Sequence, residues 1–190
     1  MKRVLLILLV AILLLAAFLL FRTFSFHSKQ ISVEAVPLYK TDDAAIQHLS
    51  EAIQFKTISY QDSGKMDTSQ FNGFHRFLEK SFPLVDSLLA LEKINNYSLL
   101  YKWQGSDASL KPILLMAHQD VVPVDPATIE GWAHPPFDGV VKDGFVFGRG
   151  TLDIKSGITA HMEAVEYLLK ENYKPQRTVY LAYGHDEEIG

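Results

Sequence analysis

Val4 to Phe21 is an unbroken run of 18 apolar residues, bounded by Lys2-Arg3 before it and Arg22 after it. As a helix the run spans roughly 27 Å, close to the ~30 Å hydrocarbon core of a bilayer. It has no polar face, which argues against a half-buried helix on a soluble domain. The pattern predicts a single-pass membrane anchor through residues 4–21, with Phe24 and Phe26 at the interface. A cleaved signal peptide is the competing reading. Its apolar core would be shorter, roughly 7–15 residues, and would end in small residues. Here Ala16-Ala17 lie inside the run, and Thr23 and Ser25 make a poor cleavage pair. Positive charges stand at both ends, so orientation is weakly specified. The favoured arrangement puts the amino terminus inside and the remainder outside the cytoplasm.

Charge divides the chain at about the same place. Residues 1–40 carry five basic residues (Lys2, Arg3, Arg22, Lys29, Lys40) against one acid, Glu34. The rest is acidic, and the whole chain has net charge −4. An acidic soluble part excludes a nucleic-acid binder, because phosphate contacts need clustered Lys and Arg. The chain has no cysteine, which excludes disulfides, thiolate zinc sites and a cysteine nucleophile.

Residues 1–26 read as the anchor and 27–41, with Pro37, as a linker. Beyond it, Ile46, Leu49, Ala52 and Ile53 give helical spacing over 43–57. Residues 59–69 read as a polar loop. Phe71, Phe74, Phe77 and Leu78 mark a second helix ending near Pro83. Ser98–Trp103, Pro112–Ala117 and Thr178–Tyr183 read as strands. The continuous Ile113-Leu114-Leu115-Met116 predicts a strand covered on both faces. Asp143-Gly144 between apolar pairs predicts a hairpin over 140–147. Ile158, Met162, Val165 and Leu168 place a helix at about 156–170. The alternation predicts an α/β fold, a helix-flanked mixed sheet that is largely parallel.

Three polar segments carry chemistry. His118-Gln119-Asp120 follows a strand, and residues i and i+2 of extended chain point the same way. Ligand sites in open α/β sheets lie at such strand ends. The pair alone is weak evidence: seven His and 12 Asp in 190 residues make about 0.4 such pairs expected by chance. Asp153 follows two glycines, Gly148 and Gly150, near a helix start, where a simple N-cap is an equal alternative. His185-Asp186-Glu187-Glu188 follows the last apolar strand, where an acidic run is less bland than on a solvated face. Adjacent carboxylates can divide metal binding from proton transfer. Oxygen ligands plus His, with no Cys, suit catalytic zinc, with manganese or cobalt as alternatives.

Together, Met116–Val124, Gly148–Gly157 and Asp186–Gly190 resemble the M20 metallopeptidases, the zinc aminoacylase/carboxypeptidase family. Trp132-Ala133-His134-Pro135-Pro136-Phe137 resembles the intervening segment. Glu51–Ser59 and the anchor look most like the carboxypeptidase S and N-fatty-acyl-amino-acid hydrolase/synthase branch. The resemblance implies a fold of the zinc-exopeptidase type and two zinc ions. His118 would bind one zinc, Glu188 the other, and Asp153 would bridge them. Glu187 would be the general base, and Asp120 would orient His118. The implied chemistry is zinc-assisted attack of water on an amide carbonyl of a peptide or N-acyl amino acid. His134, His185 and Asp186 receive no role. Family members supply one more Asp, one more His and a lid domain, none found by residue 190. Residues 42–190 are therefore expected to be the N-terminal part of a catalytic domain, with fold and site incomplete. A homodimer is expected only where the lid is present. A non-catalytic remnant or anchored binding module, and a generic α/β domain with solvated acids, are the alternatives at this point.

Overall fold

The computed structural model describes residues 2–35 and 41–190; positions 36–40 of the expected linker, Pro37 included, lie outside the described residues. Contacts divide the chain into two units, Met1–Tyr39 and Lys40–Gly190.

In the first unit, α1 (Lys2–Phe24) is a continuous 23-residue helix. Its most apolar 18-residue window has mean hydropathy 3.5, long and apolar enough to cross a membrane. A signal sequence near the amino terminus meets the same description.

The second unit begins with α2 (Asp43–Gln54), capped by Asp42 accepting from the Ala44 amide at 3.1 Å. It stops short of the expected Thr57. The Lys56 amide, which would bond Ala52 in a continued helix, bonds Gln70 Oε1 instead at 2.9 Å. In α3 (Thr68–Ser81), Asp67 caps the start, and Phe71, Phe74, Phe77 and Leu78 are buried at helical spacing. Pro83 does not merely end this helix; it opens a further one, α4 (Pro83–Leu88). Proline suits a first helical position, because its missing N–H would have no intrahelical partner there. The α4 amides of Leu84 and Val85 both donate to the buried Glu166 carboxylate at 3.0 Å.

A four-stranded sheet follows, built from β1 (Ala90–Ile94), β2 (Ser98–Trp103), β3 (Ile113–His118) and β6 (Val179–Gly184) in the order β1-β2-β6-β3. It is mixed, as expected, but the expectation of a largely parallel sheet is corrected, because β1 and β2 join by a short turn and pair antiparallel. The parallel component among the described strands is the β3–β6 pair, while β1–β2 and β2–β6 are antiparallel. Between β3 and β6 lie the hairpin β4 (Val140–Lys142) and β5 (Phe145–Phe147), then α5 (Ser156–Lys170). The hairpin turns on Asp143 (φ 51°) and Gly144 (φ 82°), the left-handed pair that a two-residue turn requires.

One face of the sheet packs on the helices. Leu99, Tyr101, Leu181 and Tyr183 meet Phe74, Leu78, Val85, Ile158 and Met162 in one apolar cluster. A fully buried Leu, Ile, Met or Phe contributes roughly 1.5–3 kcal/mol. The expectation of a doubly covered β3 is corrected. Leu114 and Met116 are 54% and 68% exposed. β3 stands at the sheet edge, and its second face is uncovered among the described residues.

Candidate metal centre

The site lies where the parallel pair ends. β3 and β6 run in register to His118 opposite Gly184. The two segments that leave the strands, 119–121 and 185–189, therefore emerge side by side. Parallel strands present their carboxyl ends together, which is why open α/β sheets collect ligands there. The Gln119 amide donates to the Gly184 carbonyl at 2.8 Å and extends the pairing one residue further.

The loop carrying Asp153 is brought in by glycine. Gly150 has φ 86°, and a Cβ there would lie 2.7 Å from Val121 Cγ1. At Gly148 a Cβ would lie 2.3 Å from Ile53 Cγ2. A larger residue at 150 would lift the loop off the 119–121 segment, and one at 148 would push it off α2. Asp153 is extended (φ −124°, ψ 92°), and α5 has no side-chain N-cap bond, so Asp153 does not cap it. Its side chain is 77% exposed and faces His118.

All five residues singled out from the sequence converge. His118 Nε2 stands 3.1 Å from Asp153 Oδ1 and 3.6 Å from Glu187 Oε2. Ligand atoms of His118, Glu187 and Glu188 all lie within 4.8 Å of one another. On the other ring edge, Nδ1 is 3.0 Å from the Asp120 carbonyl and 3.4 Å from its carboxylate. Both partners are acceptors, so the tautomer that satisfies them carries its proton on Nδ1. Nε2 then turns a bare lone pair toward two carboxylates. That arrangement needs a cation between them, or a second proton on the ring. Without a metal, the proton is favoured. Burial pulls the His118 pKa down, but bonds to the Asp120 carbonyl and the Asp153 carboxylate, with the charges of Asp120 and Glu187, raise it overall. Glu188 is also pushed up, by desolvation first and then by the Asp153 charge. The donor set of one imidazole and oxygens fits zinc, manganese or cobalt.

Asp120 is wholly buried and serves more than His118. Its carboxylate accepts from Ser59 Oγ (2.7 Å), the Glu187 amide (3.2 Å) and the Glu188 amide (3.0 Å).

Three residues around the site carry no signal in a local sequence reading. Gln119 is wholly buried; its Nε2 donates to the Tyr97 and Tyr183 carbonyls (2.8 and 2.9 Å), and its Oε1 meets His75 Nε2 at 2.8 Å. Lys155 is wholly buried, and its Nζ donates to the Ala52 and Phe55 carbonyls at 3.0 and 2.6 Å, finishing the end of α2. Burial pulls its ammonium down to about 7, against the opposing charge of Asp120. Ser59 sits in a segment noticed only for its family resemblance. His185 and His134 stay outside the cluster: His185 bonds Ser98 Oγ at 2.7 Å, and His134 packs on Phe147.

Comparison with known proteins identifies relatives of this chain. Residues 114–190 match peptidase family M20/M25/M40. The probable carboxypeptidase S-like 2 of Dictyostelium discoideum is 45% identical over 192 residues, covering 96% of this chain and 36% of that protein. The N-fatty-acyl-amino acid synthase/hydrolase of Xenopus tropicalis is 37% identical over 195 residues, covering 95% of this chain and 36% of that protein. The crystal structure of the M20 family metallo-carboxypeptidase Sso-CP2 from Sulfolobus solfataricus superposes with TM-score 0.61 at 27% identity, over 78% of this chain and 32% of that one. The chain thus spans about a third of the length of the relatives it matches.

Proposed function

We propose that this chain, which belongs to peptidase family M20/M25/M40, is the metal-binding portion of a membrane-anchored zinc hydrolase of amide bonds, acting on peptides or N-acyl amino acids. The hydrolytic class comes with the family; the substrate classes follow the named activities of its relatives. In this reading residues 1–26 anchor the protein, 27–41 link, and 42–190 contribute to the catalytic domain.

The observation that carries the reading is the His118 ring. Its Nδ1 is tied to Asp120, and its Nε2 lone pair faces Asp153 and Glu187. We assign His118 and Glu188 to two zinc ions and Asp153 to both. Bound zinc would polarise the substrate carbonyl and acidify an attacking water. Glu187, 64% exposed at the rim, is free to take the water proton and pass it to the leaving amine. Asp120 holds the imidazole in its Nε2-binding tautomer.

The test is hydrolysis of N-fatty-acyl amino acids and dipeptides by the complete protein. Activity should vanish with a chelator and return with zinc or cobalt. Turnover indifferent to chelator, with no metal in the purified protein, would refute the reading.

A further inference from the structure

Ser59 lies 61 residues from Asp120 in sequence, yet its hydroxyl donates to Asp120 Oδ2 at 2.7 Å, and both side chains are buried. We propose that Ser59 is a positioning residue for the Glu187–Glu188 pair, acting through Asp120; the inference rests on the metal-centre reading above.

The carboxylate of Asp120 has about four lone-pair directions, and three of them accept hydrogen bonds. Oδ2 takes Ser59 Oγ and the Glu188 amide; Oδ1 takes the Glu187 amide and stands 3.4 Å from His118 Nδ1. A carboxylate is nearly two-fold about its terminal bond and turns easily. His118 and the two amides all lie on strand ends or the turn that Asp120 itself organises. Ser59 is the one donor brought from outside the two paired strand ends. A short hydroxyl–carboxylate bond is charge-assisted and directional, so it fixes the plane of the carboxylate and hence where both amides point.

The segment bearing Ser59 is itself held. Thr57 Oγ1 donates to the Gln119 carbonyl at 2.6 Å, the Val121 amide donates to the Thr57 carbonyl at 3.0 Å, and Ile58 bridges Val121 in parallel. Two residues on, Gln61 Nε2 donates to the Ile189 carbonyl. One extended stretch therefore grips 119–121 on one side and the far end of the 187–189 turn on the other. That turn is only three residues long, too short to hold two side chains in place unaided.

Two readouts on the full chain test this, with Ser59→Ala and Ser59→Thr. The first is amide hydrogen exchange without metal. In Ser59→Ala, protection at Glu187 and Glu188 should fall roughly 10-fold or more, the equivalent of one lost charge-assisted bond. The Leu181 amide, inside β6, should be unchanged. The second is cobalt(II) titration against a competing chelator. Affinity should fall about 10–100-fold, as for loss of an outer partner of a metal ligand, with an altered visible spectrum. Ser59→Thr, which keeps the hydroxyl, should restore both. Unchanged exchange at 187–188 in Ser59→Ala, or wild-type cobalt affinity, would overturn the inference. A wild-type chain that binds no cobalt, while Ser59→Ala still loosens the two amides, would overturn the metal reading and leave the positioning role standing.

Discussion

Replacing Gln119 by Leu should loosen the site from beneath without touching any proposed ligand. The amide makes three side-chain hydrogen bonds at 2.8–2.9 Å: to the Tyr97 carbonyl in the β1–β2 turn, to the Tyr183 carbonyl in β6, and to His75 Nε2 in α3. Leucine fills similar space but strands two carbonyls and a ring nitrogen. A buried polar group left without a partner costs about 1–3 kcal/mol. Crediting the leucine with some transfer energy leaves a net loss of about 3 kcal/mol. A pH signature accompanies it. Burial lowers the His75 pKa, and the Gln119 bond partly opposes that. A depressed folded pKa means that the unfolded chain binds the extra proton first. Stability is therefore full above about 6.5 and falls as pH drops toward the folded value. Without Gln119 the folded value drops further, so the stability of Gln119→Leu should go on falling to lower pH than that of wild type does. Urea unfolding of the full chain in mild detergent, at pH 8 and pH 5, measures both effects. A loss under about 1 kcal/mol at pH 8, with parallel pH curves, would refute the argument that Gln119 is the strut of the site.

Three other outcomes are expected. Asp153→Ala should lose more bound metal, by elemental analysis of the complete protein, than His118→Ala or Glu188→Ala, because in the proposed assignment its carboxylate serves both ions. Glu187→Gln should lower kcat by roughly 10²–10⁴-fold with metal content nearly intact, whereas Glu188→Gln should lose metal from one site. The protein should stay in the membrane pellet after an alkaline wash and keep its original amino terminus, as an uncleaved α1 requires; a soluble form starting after about residue 25 would contradict it.

Elements that bury a regular face could be read directly. α5 announces itself through Ile158, Met162 and Val165, and β2 and β6 through their apolar runs. β1 could not, because four of its five residues are exposed and pairing with β2, not its own pattern, makes it a strand. α4 is six residues long, below the length at which helical spacing is visible. β3 misled because an apolar run reports only that side chains prefer to be covered, whereas its place at the sheet edge follows from pairing with β6 alone.

The site divides in the same way. His118, Asp120, Asp153, Glu187 and Glu188 sit in short motifs, each beside a strand end or a glycine turn, so local reading reaches them. Ser59, Gln119 and Lys155 act across 61, 44 and 103 positions of sequence, on Asp120, His75 and Ala52 respectively. Nothing in their local pattern announces those partners. Their burial explains why such residues are needed. Polar groups removed from water must each find a partner, and at this strand end the partners are the backbone and carboxylate that aim the five. The residues that would meet a metal are thus the legible ones, and those that hold them still become visible only once the chain is folded.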